Sequence, residues 1–447
     1  VASFQAVLER DPRNRRALEA LRALHAERGE GEALAAVLRR LVPLQDAAAG
    51  VKAVRLELAE ALAGLGRRDE AIENGKRALD LEPHDLLQLQ RIELLFRDLE
   101  AWPEVIRTME LQAPFVQQDE ELTVELWRGV ARVWVDHLQR KEGAAAALER
   151  IIERRLDADA FDELRAIYRG VADWRRWAQV TERFAAGCTD EARRVELLRE
   201  LAEVHEQRLG QRDIAFAKLG AAFERAPADD ALRARLAALA DQAGMHEELA
   251  LVYESVIDAC EDEGVAARLL LELAALQDDK LDDPEAAEAS LRRILAVDPS
   301  HAEALEALAA LFSRRGADDA LVPVLEKQLA AAVDADARRA LLRRIAQVDE
   351  ERLGDAAGAA RALERALELD PTHEETREAL AALYRRSGRL EDLATLLGRA
   401  RDLAGDPAAR FELQTRLAAL LETEIGDDER ARAAWALAHE LDPERME

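Results

Sequence analysis

An Asp-Pro dipeptide, or a close relative of it, recurs about every 72 residues along this chain. The recurring prolines are Pro12, Pro83, Pro227, Pro299, Pro371 and Pro443, and Leu156 fills the one vacant slot. Aromatic residues return with the same step at Phe96, Tyr168, Phe312 and Tyr384, as do the glycines Gly244, Gly316 and Gly388. Self-similarity at a fixed period is typical of a stacked solenoid, in which each repeat buries its apolar face against its neighbours. The period therefore predicts an array of repeats rather than one central core.

The composition favours helices over sheet. Apolar residues make up 49% of the chain, but aromatic residues only 4%. Small and unbranched side chains suit closely packed helices. The chain also has 57 arginines against 6 lysines, a bias that we interpret as the mark of a GC-rich bacterial genome.

The charge limits the partners. With 91 acidic and 63 basic residues the formal net charge is −28, which repels phosphate backbones and anionic lipid surfaces. We therefore expect other proteins as partners, through basic or amphipathic segments, and neither nucleic-acid binding nor direct membrane insertion. The alternative is that the negative charge selects no partner and only keeps a long helical surface soluble.

The repeats predict one continuous solenoid over residues 1–447. Its units are expected at 13–83, 84–156, 157–227, 228–299, 300–371 and 372–443. Residues 1–12 would then be the end of a preceding repeat, and 444–447 the start of the next. Because an array needs polar capping units at its ends, we expect this chain to be a segment of a longer protein.

Each unit is predicted to contain four helices, as residues 372–443 illustrate. Apolar residues at Ala379, Leu380, Leu383 and Tyr384 define one helical face, which ends at Gly388. Further helical faces follow at 393–400, 411–425 and 431–438, each ended by glycine or proline. Short connections make consecutive helices antiparallel neighbours. Each period is therefore expected to hold two helical hairpins of about 36 residues.

The hairpin at residues 374–407 carries a recognisable motif. Its first helix has Leu380, Ala381, Tyr384 and Gly388, and its second has Leu393, Leu397 and Ala400. The preceding hairpin has Ala359, Leu363, Ala366 and Asp370-Pro371 at the corresponding places of its second helix. These patterns resemble the tetratricopeptide repeat (TPR), at about two motifs per 72-residue period. The resemblance implies an all-α, right-handed superhelical solenoid of antiparallel hairpins, whose first helices line a concave groove for peptides or partner helices.

A well-known ligand mode of that family is missing. It uses basic and Asn side chains on the concave helices to clamp a terminal carboxylate. The matching positions here are Glu378 and Ala382, Glu306 and Ala310, and Ala234 and Ala238. We therefore predict that the groove accepts a cationic or apolar helix rather than a C-terminal acid.

No residue pattern predicts catalysis. His246-Glu247-Glu248 and His373-Glu374-Glu375 begin like a zinc-protease helix, but no second histidine follows four residues on. Cys188 and Cys260 lie one period apart and are not expected to form a disulfide. We expect a non-enzymatic protein with no metal and no cofactor. The cysteine usage is compatible with the cytoplasm, and a periplasmic location is compatible with the sequence too.

Gly75 interrupts the repeat at a core position. The equivalent positions hold Phe4, Leu148, Leu219, Leu291, Leu363 and Trp435. Glycine removes a buried side chain and weakens the helix by about 1 kcal/mol. Either neighbouring side chains lean into the gap, or Gly75 marks a pocket or hinge for a partner side chain.

Three tryptophans occupy positions that are polar in other repeats. Trp102 and Trp174 share a position with Gly31, His246, Asp318 and Leu390, and Trp134 shares one with His205, Gln277, Asp349 and Leu421. Such positions are expected to be at least half exposed. Exposed aromatic side chains are favoured anchors for protein partners. The alternative is that the tryptophans reflect local variation in packing between repeats.

Two functions agree with these patterns. The first is a scaffold or adaptor for protein–protein interaction, as a segment of a larger bacterial TPR protein or assembly. The second is a regulatory or substrate-recruiting TPR arm of an enzyme whose catalytic domain lies outside this segment.

Overall fold

The computed structural model describes residues 1–442, which form 25 α-helices and no β-strand. The Cα positions group into two compact units, Val1–Ala226 and Pro227–Glu447. Their boundary lies within one residue of a predicted repeat boundary. No helix within residues 1–442 is both long and apolar enough to cross a lipid bilayer.

The first unit contains α1 to α13. Their bounds are Ala2–Arg10, Arg15–Glu27, Gly31–Leu41, Ala48–Gly64, Arg68–Leu79, Leu86–Asp98, Trp102–Val116, Glu120–Arg132, Lys141–Arg154, Ala158–Gly170, Trp174–Gly187, Glu191–Gln207 and Arg212–Phe223. A 3-10 turn, Val42–Leu44, follows α3, and a π-helical turn, Val133–His137, extends α8.

The second unit contains α14 to α25. Their bounds are Asp230–Ala243, His246–Ala259, Glu263–Asp279, Pro284–Val297, Ala302–Arg315, Asp318–Ala331, Ala335–Val348, Ala356–Leu369, Glu374–Arg386, Leu390–Leu403, Pro407–Leu420 and Asp428–Leu441. The π-helical turns Asp349–Leu353 and Leu421–Ile425 extend α20 and α24.

Consecutive helices pack as hairpins. Each even-numbered helix from α2 to α24 contacts the odd-numbered helix after it, and we call them the first and second helices of a hairpin. Within each unit a second helix also contacts the first helix that follows it. The prediction of four helices in residues 372–443 is confirmed by α22 to α25, although Pro443 lies outside the described residues.

The recurring dipeptide directly follows a helix at four of its places. Asp11, Asp298, Asp370 and Asp442 follow α1, α17, α21 and α25 in extended conformation, with φ from −122° to −155°. Proline excludes the helical region from the residue before it, which explains why the helices stop there. The predicted glycine stops agree as well, since Gly244, Gly316 and Gly388 have φ of +71°, +65° and +73°.

A side-chain cap then starts the next helix. Asn14, Asp85, Asp157 and Asp229 each accept a hydrogen bond from the backbone N–H three residues ahead. At the equivalent place in two repeats the acceptor is Nδ1 of His301 or of His373, 3.3 Å from the backbone nitrogen of Ala304 or Thr376. Local stop and start signals therefore position each hairpin along the chain.

Candidate protein-binding surfaces

The space beside Gly75 is already filled. A Cβ atom added to Gly75 would lie 2.7 Å and 2.9 Å from Cε1 and Cζ of Phe96, a side chain with no exposed surface. The Phe96 ring leans from α6 into the gap that glycine leaves in α5. A neighbouring side chain therefore fills the gap and leaves no open pocket beside Gly75, whereas the hinge stays a prediction.

Trp102 and Trp174 lie at a contact that recurs through the array. Trp102 begins α7, and Trp174 begins α11; both are second helices of a hairpin. Each tryptophan contacts a side chain that lies just after the first helix of the following hairpin, α8 or α12. The Trp102 ring stacks on His137 with 3.5 Å between centroids, and the guanidinium carbon of Arg208 lies 5.1 Å from the Trp174 ring centroid. Different side chains meet at the equivalent place in other repeats. Leu65 packs on Gly31 in one, and Asp318 forms an ion pair with Arg352 in another. In a third, His246 and Lys280 both contact the carboxylate of Asp241. The tryptophans thus occupy a contact that is polar in two other repeats and apolar in a third.

Trp134 lies in the π-helical turn after α8 and packs on a glycine. A Cβ atom on Gly143 would overlap the indole Cδ2, so the glycine makes room for the ring. The equivalent pair in a later repeat is Asp349 and Gly358, again in contact across a π-helical turn. The large side chain and the missing side chain therefore compensate each other.

All three indoles are mostly buried rather than half exposed. Trp102, Trp134 and Trp174 each pack against the hydrophobic core. The expectation of at least half exposure is wrong, because a position that tolerates polar residues can still be covered by the next hairpin. None of the three is fully buried, so their use as partner anchors stays a prediction.

The burial of Arg165 was not predicted from the sequence. Arg165 of α10 is 7% exposed, and its guanidinium lies between the rings of Phe161 and Trp177, 5.0 Å and 4.6 Å from their centroids. Its charge is paired with Glu200 of α12. Burial is the largest influence on the Arg165 pKa and lowers it. The aligned repeats do indicate that Arg165 is unusual, since the equivalent position holds alanine in three later repeats, at Ala237, Ala309 and Ala381.

The first helices are joined by ion pairs. Arg416 of α24 donates two hydrogen bonds to the carboxylate of Glu378 in α22, at 2.9 Å and 3.0 Å. These bonds lower the pKa of Glu378 below its usual value. Similar pairs join Arg22 to Glu57, Arg91 to Glu60, and Arg233 to Glu272. The carboxylate predicted to attract a cationic helix is therefore already neutralised by a neighbour.

An apolar surface lies on α6. Leu87 and Leu94 are 76% and 63% exposed, two turns apart on one helix face. All five positions equivalent to Leu94 hold exposed alanine, namely Ala23, Ala166, Ala238, Ala310 and Ala382. Beside Leu94 lies a groove of about 490 Å³ between α4 and α6, where Gly64 contributes no side chain.

A larger groove lies in the second unit. It measures about 610 Å³ and runs between the second helices α21 and α23, over the first helix α22. Its apolar lining comprises Leu367, Leu380, Leu396, Ala400 and Leu403. Its acidic lining comprises Glu364, Glu368, Asp392 and Asp402. The basic side chains that line it are Arg377 and Arg399.

The negative charge is concentrated in the second unit. Residues 227–447 hold 49 acidic and 27 basic side chains, a net of −22, whereas residues 1–226 hold 42 and 36, a net of −6. The net charge of the whole chain, −28, conceals this difference between the two units. Charge-selective binding should therefore favour the second unit.

The histidines that resembled zinc ligands have other partners. His373 caps α22, and Nε2 of His246 lies 2.9 Å from a carboxylate oxygen of Asp241. Within residues 1–442, no three or more His, Cys, Asp or Glu side chains group in a way that could hold a metal ion.

Comparison with known curated proteins finds similarity in part of the chain. No protein-family model matches. A 128-residue segment, 27% of this chain, is 33% identical to the cellulose synthase operon protein C of Pseudomonas fluorescens, and the match spans 10% of that protein.

Similar solved structures include two TPR proteins. A tetratricopeptide repeat protein from Parabacteroides merdae is 20% identical, with a TM-score of 0.26 over 56% of this chain and 93% of its own. YrrB, described as a TPR protein with an unusual peptide-binding site, is 19% identical, with a TM-score of 0.25 over 43% of this chain and 94% of its own. Residues 1–442 form an array of helical hairpins.

Proposed function

We propose that this chain is a non-enzymatic scaffold for protein–protein interaction. It is a segment of a larger bacterial TPR protein or assembly, and it binds partner helices or extended amphipathic segments. The observation that carries the proposal is the exposure of Leu87 and Leu94 on a first helix, where the equivalents of Leu94 are alanines. Large exposed apolar side chains grouped on one face mark interaction surfaces.

A partner helix fits this surface for two reasons. Its apolar ridge would cover Leu87 and Leu94, and fully burying one leucine is worth about 1.5–3 kcal/mol. Because Gly64 leaves open space beside Leu94, the partner could also approach α4 closely. Glu60 and Arg91, paired at the edge of this groove, would supply a polar rim.

The test is affinity capture with the whole chain, followed by mass spectrometry. The variant Leu87→Glu/Leu94→Ala places at these positions the residues that Glu375 and Ala382 supply in the last repeat. It should therefore fold normally, which far-UV circular dichroism would verify. The control is Leu251→Ala, which removes a leucine that is 64% exposed on α15.

Proteins that bind through α6 should be retained by the wild type and by Leu251→Ala and lost from the double variant. For a purified partner, we expect the dissociation constant to rise at least about tenfold, equivalent to 1.4 kcal/mol. If every captured protein binds the double variant as well as the wild type, α6 is not the docking surface. Failure to capture any protein with the wild-type chain would contradict the scaffold function itself.

A further inference from the structure

The groove between α21 and α23 differs from its counterpart one repeat earlier. Its acidic side chains Glu364, Glu368, Asp392 and Asp402 stand at positions that hold Arg292, Ala296, Ala320 and Ala330 in the preceding unit. The apolar lining is retained, because Leu367 and Leu380 correspond to Leu295 and Leu308. These four positions therefore carry carboxylates in this groove and none in its counterpart one repeat earlier, although the position of Glu368 is acidic in the other repeats, at Glu9, Asp80, Glu153, Glu224 and Glu440.

The apolar part of the groove is accessible. Leu380 is buried at its floor, whereas Leu403 on the α23 wall is 54% exposed. The floor also contains Tyr384, whose hydroxyl donates a hydrogen bond to Glu364 and whose ring lies 4.6 Å from the guanidinium carbon of Arg389. These contacts hold the floor in place and leave the leucines of the walls to a ligand.

The carboxylates differ in how well they are neutralised. Asp392 and Asp402 accept hydrogen bonds from Arg389 and Arg401, each at 2.6 Å. Glu368 has no ion pair or hydrogen bond within residues 1–442. The groove also lies in the unit with a net charge of −22, so the surrounding field favours a cation.

We propose that this groove is a second docking surface, which takes an amphipathic helical segment of a partner protein with lysine or arginine beside its apolar side chains. The apolar ridge of the segment lies on Leu367, Leu396 and Leu403, and its cations face Glu368 and compete with Arg401 for Asp402. Arg399, which has no partner in the part of the chain that the structure describes, faces an acidic or amide side chain of the segment. This surface lies on the second helices and is independent of the surface on α6.

The test is fluorescence anisotropy with labelled amphipathic peptides of about five helical turns. One peptide carries leucine on one face and lysine on the other, and a second carries glutamate in place of lysine. A third has the composition of the first in scrambled order. The lysine peptide should bind the wild-type chain most tightly, and its affinity should fall as salt is added.

The decisive variant is Glu368→Lys/Asp402→Lys. Its control is Glu247→Lys/Glu261→Lys, which makes the same change in net charge at exposed positions outside the groove. We expect the groove variant to weaken binding of the lysine peptide at least about tenfold, and the control less than about threefold. The variant Leu403→Gln should also weaken binding, since it removes apolar surface without adding charge.

The outcomes separate this proposal from the proposed function. Equal losses in the groove variant and its control would mean that only net charge matters, which overturns the groove. Loss of binding in Leu87→Glu/Leu94→Ala, with none in the groove variant, would also overturn it and would support the surface on α6. Loss in the groove variant alone supports the second surface, whether or not α6 proves to capture partners.

Discussion

Replacing Gly75 by alanine should fail to stabilise helix α5, although alanine is the better helix former. The substitution gains about 1 kcal/mol from helix propensity. It also places Cβ 2.7 Å from Cε1 of Phe96, and overpacking a buried site costs about 1–3 kcal/mol. Because Phe96 has no exposed surface into which to move, we expect a net destabilisation of about 0–2 kcal/mol. Gly75→Leu should be worse, because the longer side chain overlaps more of the Phe96 ring.

Gly398 provides the matched control. It lies in the interior of α23, and a Cβ atom there would meet nothing within 4 Å. Gly398→Ala should therefore show the propensity gain of about 1 kcal/mol without the clash. Long repeat arrays do not unfold as a single two-state unit, so global unfolding is a poor assay. Native-state hydrogen exchange, measured separately for α5 and α23, gives the local opening free energy.

A rescue experiment completes the test. In a Phe96→Leu background the ring is absent, and Gly75→Ala should become stabilising. The reasoning would be refuted if Gly75→Ala in the wild-type chain protected α5 as strongly as Gly398→Ala protects α23. That result would mean that Phe96 can yield at little energetic cost.

Three further predictions concern helix ends and repeat contacts. His301→Asp should stabilise α18 by about 0.5–1 kcal/mol in hydrogen exchange, because a carboxylate is a better cap and interacts favourably with the helix N-terminus. A double-mutant cycle between Trp174 and Arg208, measured by the same method, should give a coupling of about 0.5–1 kcal/mol. Burial, followed by the nearby Lys52 charge, lowers the pKa of His84, so the unfolded chain binds more protons there. Stability should therefore fall as pH drops through about 6.5, and His84→Gln should reduce that fall in the local opening free energy of α6, measured by hydrogen exchange.

Each of these predictions has an outcome that would contradict it. Asp229→His, at the position equivalent to His301, should destabilise α14, and no change there would contradict the capping argument. An unchanged pH dependence in His84→Gln would contradict the argument from burial of His84. Additive effects of Trp174→Ala and Arg208→Ala would show that the contact between the two side chains contributes nothing.

Much of the fold was predictable from the sequence because its signals are local. The Asp-Pro steps, the Asx caps and the glycines act within a few residues, and their spacing predicts where each helix begins and ends. The aligned repeats also contain the signal of the surface on α6, since Leu94 stands against five alanines. The tryptophans were the wrong residues to expect at an exposed surface. A tryptophan at a position that is polar in other repeats suggests exposure only when the side chains that cover it are unknown.

The sequence by itself determined the repeat, the helices and their order. Only the tertiary structure decided what each exceptional residue does, because that depends on a side chain from another helix. Phe96 fills the gap at Gly75, His137 and Arg208 cover Trp102 and Trp174, and Arg416 neutralises Glu378. These partners lie from 21 to 38 residues apart in the chain and meet because hairpins stack, so helical periodicity alone does not pair them.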